Sequence, residues 1–122
     1  MADKIKLLVV EDEDSLRTLL KSELEAYGFE VDEAEGGTIA MKALNSVHYN
    51  LVILDIRMPD MDGLDVLRSI REKKMADKVI MLTGVNGMKL ARDSLALGAD
   101  DFLTKPYDLK KLLECINRVL KE

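Results

Sequence analysis

Residues 5–14 read Ile-Lys-Leu-Leu-Val-Val-Glu-Asp-Glu-Asp: an apolar run broken only by Lys6 that stops in four consecutive acids. A short, nearly continuous run of Val, Ile and Leu is what a strand covered on both faces requires. Leu16, Leu19, Leu20, Leu24 and Tyr27 then recur at the spacing of one helix face, and Gly28 stands where a helix ends. A buried strand followed by an amphipathic helix is one βα unit, and the rest of the chain repeats it.

A weak strand around Glu30 to Ala34 has the polar content of a sheet edge. Gly36 and Gly37 break the chain, and Thr38 is placed to cap a helix running to about Ser46. Leu51 to Leu54 form a third strand. The turn Met58-Pro59-Asp60-Met61-Asp62-Gly63 leads into a helix carrying Leu64, Leu67 and Ile70. Val79 to Leu82 are the fourth strand, and a helix from about Met88 to Leu97 ends at Gly98. Asp101 to Thr104 are a short fifth strand, and a last helix carries Leu109, Leu112, Leu113, Ile116 and Leu120. Strict alternation of strands and helices predicts a parallel sheet wrapped on both faces. Five units are too few for an eight-stranded barrel. The expected fold is therefore α/β, an open doubly wound five-stranded parallel sheet in the order 2-1-3-4-5 with five helices.

The 122 residues, 48% hydrophobic and 34% charged, suit one globular domain spanning 1–122. The net charge of −5 argues against nucleic-acid binding by this chain itself. No apolar run approaches the ~20 residues of a membrane span, and the opening Met-Ala-Asp-Lys-Ile-Lys lacks the apolar core of a secretory signal. Cys115 stands alone, so neither an internal disulfide nor a cysteine metal cage is available. These features point to a reduced, cytoplasmic, soluble domain.

The residues with chemistry to offer stand just past the strands. Glu11 and Asp12 come after Val10, Asp55 after Leu54, Thr83 after Leu82, and Lys105 after Thr104. In an open parallel sheet the carboxyl ends of the strands share one edge, and ligands bind there beside the switch in strand order. With strands 1 and 3 adjacent, Glu11, Asp12 and Asp55 converge, and strands 4 and 5 bring Thr83 and Lys105 from one side. Three crowded carboxylates repel one another, and a hard divalent cation such as Mg²⁺ relieves the conflict through oxygen ligands. A carboxylate in such a place can attack phosphorus, Lys105 can neutralise phosphoryl charge, and the Thr83 hydroxyl can donate a hydrogen bond to it.

The stretches LVVEDED, LVILDIRMPDMDGL, VIMLTG and GADDFLTKPY, spread over essentially the whole chain, resemble the receiver domains of bacterial two-component response regulators of the chemotaxis-regulator kind. The resemblance implies a flavodoxin-like fold, whose strand order is 2-1-3-4-5, so that order is not an independent result. It implies that Asp55 accepts a phosphoryl group from a phosphohistidine of a sensor histidine kinase or phosphotransfer protein. It makes Glu11, Asp12, Asp55 and the backbone carbonyl of Arg57 the Mg²⁺ site. Lys105 becomes the lysine that pairs with the phosphoryl group, and Thr83 and Phe102 the switch pair. Arg57 and Val85, two residues after Asp55 and Thr83, match positions that tune phosphoryl lifetime. The Lys105–Pro106 bond matches one that is usually cis. The implied output is a changed surface on helix 4, strand 5 and helix 5, read by a downstream protein or a covalently linked output domain. Dimerising receivers often carry an arginine where Cys115 falls, so a monomer or a weak phosphorylation-dependent dimer is expected. Such a domain catalyses its own phosphorylation and dephosphorylation without being a turnover enzyme.

Other residues read as structural. Glu13 and Asp14 suit the first turn of a helix, Asp60 and Asp62 a turn, His48 a surface loop and Cys115 a packed position. The methionines read as gap fillers and Lys110, Lys111 and Lys121 as a solvated face. An Mg²⁺-dependent phosphatase with an aspartyl nucleophile would need a second aspartate where Arg57 stands. A flavin-binding module would need a Ser-, Thr- and Gly-rich loop where Glu-Asp-Glu-Asp stands. No DNA-binding segment or basic tail occurs within these residues, which fits a stand-alone regulator or the receiver part of a longer chain.

Overall fold

A computed structural model describes residues 4–84 and 86–122; Val85 lies outside the described residues. The chain runs β1 (Lys6–Val10), α1 (Asp14–Ala26), β2 (Glu30–Ala34), α2 (Gly37–Ser46), β3 (Tyr49–Asp55), α3 (Gly63–Lys73), β4 (Ala76–Thr83), α4 (Met88–Ala96), β5 (Asp101–Thr104) and α5 (Leu109–Lys121). All strand pairs are parallel, as the alternation predicts, and the order is β2-β1-β3-β4-β5, as the resemblance implies. Val10 pairs with Ala34 on one side and Leu54 on the other, Asp55 with Leu82, and Thr83 with Thr104. This register brings the ends of β1, β3, β4 and β5 to one edge.

Side chains alternate across each strand, and two cores result. Leu8, Val10, Val52, Leu54, Val79 and Met81 face α2, α3 and α4 with Ala40, Leu67 and Ile70. Leu7, Val9, Leu51, Ile53, Ile80 and Leu82 face α1 and α5 with Leu24, Leu112 and Ile116. Eight residues of β1 and β3, Leu7 to Val10 and Leu51 to Leu54, are wholly buried, which accounts for their unbroken hydrophobicity. Gly28 (φ 94°) and Gly98 (φ 107°) end α1 and α4 in the left-handed region.

The structure corrects the sequence reading in three places. The buried stripe of α1 is Arg17, Leu20 and Leu24, while Leu19 and Tyr27 are 53% and 61% exposed. Thr38 does not cap α2; Gly36 is the N-cap, and Asp60 of the distant β3–α3 loop accepts from the backbone N–H groups of Gly37 (3.1 Å) and Thr38 (3.0 Å). Strands β3 and β4 also begin earlier than their apolar runs. Tyr49 is buried, and its hydroxyl donates to Asp32 Oδ2 at 2.6 Å. Asn50 Oδ1 accepts from Lys6 N at 2.8 Å, so polar residues there extend the sheet.

Candidate functional site

Strand β1 delivers Glu11 directly from its last residue. The Glu11 N–H donates to the Ala34 carbonyl at 3.1 Å, which continues the ladder and leaves the side chain wholly buried. One Glu11 carboxylate oxygen accepts from the Glu13 N–H at 3.1 Å and the other from Lys105 Nζ at 2.7 Å. Asp55 ends β3 and is 6% exposed; its Oδ1 accepts from the Arg57 N–H at 3.2 Å and its Oδ2 from Lys105 Nζ at 3.1 Å. Asp12 is exposed beside them. One carboxylate oxygen from each of Glu11, Asp12 and Asp55 lies within 4.8 Å of the others. Three of the residues that the sequence predicts as site residues are therefore brought together, with the ammonium of a fourth between two of them.

The electrostatics reflect the crowding. Partial burial, then the hydrogen bond and negative charge of Glu11, raise the Asp12 carboxyl above its ordinary value. Burial opposes the charge on Lys105, but Glu11 and Asp55 outweigh it and leave the ammonium more firmly protonated than usual. The donor set is all oxygen, two of the three acids are buried, and a cation already bridges them. The cluster could hold a metal ion, and hard oxygen donors suit a divalent cation of the Mg²⁺ type.

Thr83 ends β4, is buried, and its Oγ1 donates to the Gly87 carbonyl at 3.3 Å. The Lys105 N–H donates to the Thr83 carbonyl at 2.7 Å, and the Lys105–Pro106 bond is cis as the resemblance implies. Phe102 is half-buried and packs on the core that faces α2, α3 and α4. Arg57 is exposed in the loop after Asp55. That loop is held closely: the Gly63 N–H donates to the Ile56 carbonyl at 2.8 Å, and a Cβ on Gly63 would stand 2.4 Å from the Asp55 carbonyl oxygen. Asp62 caps α3 by accepting from the Leu64 N–H at 2.9 Å.

Residues read as structural keep that character. His48 is exposed and bonded to Asp77 at 2.7 Å. Cys115 is buried with its Sγ 3.5 Å from Asp101 Oδ2, and burial pushes the thiol up to about 12. Asp101 also pairs with Arg118. The sequence reading missed Arg17, whose Nη1 donates to the Glu11 carbonyl at 2.9 Å. Its place three residues before Leu20 and seven before Leu24 was the available signal, since a charge on an apolar stripe needs partners. It also missed Tyr107, whose hydroxyl is buried without a hydrogen-bond partner among the described residues.

Residues 7–117 match the family described as "Response regulator receiver domain". The chemotaxis protein CheY of Listeria monocytogenes is 38% identical over 118 residues, covering 96% of this chain and 99% of that protein. The regulatory protein AtoC of Escherichia coli is 34% identical over 116 residues, covering 95% of this chain but 25% of AtoC. The chain thus spans nearly all of one relative and a quarter of another. Among solved structures, a CheY-like response regulator receiver domain protein from Methanospirillum hungatei superposes with a TM-score of 0.92 at 30% identity, covering 98% of this chain and 95% of that one. The sheet order, the two-sided core and the sequence matches converge: this chain belongs to the response regulator receiver domain family of two-component signalling.

Proposed function

We propose that the chain is the phosphoacceptor unit of a two-component pathway and that Asp55 carries the phosphoryl group. The observation that carries this reading is the meeting of Glu11, Asp12 and Asp55 within 4.8 Å, with Lys105 Nζ bridging two of them. The donor is the phosphohistidine of a sensor histidine kinase or phosphotransfer protein. Asp55 Oδ1 is anchored by the Arg57 N–H, so Oδ2, on the Lys105 side, is the oxygen that attacks phosphorus. The new O–P bond forms as the P–N bond breaks, and the imidazole leaves with the electron pair. Glu11, Asp12, Asp55 and the Arg57 carbonyl would hold Mg²⁺, which when bound neutralises charge on the phosphoryl oxygens.

The other residues respond to the new charge, roughly −1.5 to −2 near neutral pH. Lys105 exchanges its carboxylate partners for a phosphoryl oxygen. The Thr83 hydroxyl leaves the Gly87 carbonyl to donate to another, and Phe102 packs into the space behind it. The surface of α4, β5 and α5 shifts, and a downstream protein or linked output domain binds it. The shift is a change of population between two forms. Residues 1–122 act as one receiver unit, in the cytoplasm, as a monomer or a weak phosphorylation-dependent dimer, without direct contact to nucleic acid or membrane.

The test is incubation with Mg²⁺ and acetyl phosphate followed by intact mass. The expected product carries one phosphoryl group, loses it to hydroxylamine, and does not form with chelator or in Asp55→Asn. Undiminished labelling of Asp55→Asn would move the acceptor elsewhere. Phe102→Ala should be phosphorylated nearly as the parent while binding its partner less well; unchanged partner binding removes Phe102 from the switch.

A further inference from the structure

Arg17 is a cation buried to 8% exposure, on the inner face of α1 in line with Leu20 and Leu24. A guanidinium is retained in such a place only when its donors are satisfied. Nη1 donates to the Glu11 carbonyl at 2.9 Å and Nη2 to Asp14 Oδ1 at 2.7 Å, while Nε lies 3.5 Å from Glu33 Oε1 on β2. Arg17 therefore holds both ends of the acid run 11–14 and ties it to the neighbouring strand. Inside the run, the Glu13 N–H donates to Glu11 Oε2 at 3.1 Å and the Arg17 N–H to the Glu13 carbonyl at 2.9 Å. The direction of the Glu11 carboxylate thus depends on the backbone path that Arg17 secures.

We infer that Arg17 is a positioning residue for the divalent-cation site: by gripping the Glu11 carbonyl and Asp14 it turns the Glu11 and Asp12 carboxylates toward Asp55. The inference rests on the reading of those three acids as an Mg²⁺ site. Positioning and plain electrostatics predict opposite signs. As a charge alone, Arg17 repels Mg²⁺, so its removal would tighten binding. As a strap, its removal lets the run relax and weakens binding. Arg17→Met keeps the apolar stem without charge or donors. Arg17→Lys keeps the charge but lacks the planar fork that serves three acceptors at once.

The experiment titrates Mg²⁺ into the full chain by calorimetry. Urea unfolding and amide hydrogen exchange at Glu13 are measured on the metal-free protein. Both variants are expected to bind Mg²⁺ roughly tenfold more weakly, as loss of an orienting partner does at other metal sites, and to exchange the Glu13 amide faster before any metal is added. Arg17→Lys, the milder change, keeps the test open if Arg17→Met does not fold. Tighter binding by Arg17→Met, parental binding by Arg17→Lys, or lowered stability with unchanged Mg²⁺ affinity each overturns the role given to Arg17. Parental protein that binds no Mg²⁺ removes the metal site and this inference with it, whereas normal parental binding with unaffected variants removes only the inference.

Discussion

Lys105 Nζ bridges two of the three clustered acids, so replacing it with Met should expose the repulsion it suppresses. Its Nζ lies 2.7 Å from Glu11 Oε1 and 3.1 Å from Asp55 Oδ2, and those acids are 0% and 6% exposed. At an effective dielectric near 20 each contact has a gross attraction of ~5–6 kcal/mol, most of it offset by desolvation. Removing one partner of a buried pair typically costs ~3–5 kcal/mol. The Lys105 side chain is 28% exposed and water can reach the acids, which favours the lower end, ~3 kcal/mol. With a urea m-value of ~1.5–2 kcal/mol/M, the midpoint of Lys105→Met should fall by ~1.5–2 M in metal-free buffer. Mg²⁺ should then restore it: saturation at a hundredfold over Kd contributes ~2.7 kcal/mol. The variant should also bind Mg²⁺ more tightly than the parent, because no ammonium has to be displaced from Glu11 and Asp55. The assay is urea unfolding with and without Mg²⁺ on both proteins. An unchanged midpoint without metal, or equal Mg²⁺ gains in parent and variant, would refute the idea that lysine and metal share these acids.

Three further substitutions probe single contacts. Gly63→Ala places a Cβ 2.4 Å from the Asp55 carbonyl oxygen and 2.8 Å from Ile56 Cα, both backbone, so chemical unfolding should show a loss of ~3 kcal/mol, the upper end for overpacking. Tyr107→Phe removes a buried hydroxyl that has no partner among the described residues and should raise stability by ~1 kcal/mol; a loss of that size would mean the hydroxyl is bonded in solution. The hydrogen bond from His48 holds the Asp77 carboxyl below its ordinary value, despite some opposing desolvation. A folded-state value below the unfolded one gives stability that is present above the unfolded value, ~3.9, and lost as pH falls through the folded one. Urea midpoints for Asp77→Asn should therefore lie below the parent's at neutral pH and approach them below about pH 4; parallel curves would show that Asp77 contributes nothing to the acid limb.

The fold was legible because the three central strands, β1, β3 and β4, announce themselves by burial. Leu7 to Val10 and Leu51 to Leu54 are wholly buried on both faces, so their hydrophobicity is continuous and needs no partner information to read. The site was legible because its acids, Thr83 and Lys105 sit at or directly after strand ends, and a parallel sheet places all such positions on one edge. What escaped depends on pairings between distant positions. Asp60 caps α2 across 22 to 23 residues, and Tyr49 reaches Asp32 across 17. Nothing local to Asp60 distinguishes a helix cap in trans from an ordinary turn. Arg17 sits on the buried stripe of α1, where the eye counts leucines, and its reason for being there is a carbonyl six residues earlier. Strand starts were missed because Asn50 and Asp77 are polar and yet pair at the amino edge of the sheet, where Asn50 Nδ2 donates to Asp77 Oδ2 at 3.2 Å.

The site of phosphoryl attachment can be read directly. After treatment with Mg²⁺ and a phosphoryl donor, borohydride reduces an acyl phosphate to the alcohol, so a modified aspartate becomes homoserine. Peptide mapping should find homoserine at position 55 and nowhere else, and only in samples that contained Mg²⁺. Homoserine at position 12, or a phosphoryl group that survives borohydride on a hydroxyl or imidazole, would contradict Asp55 as the acceptor.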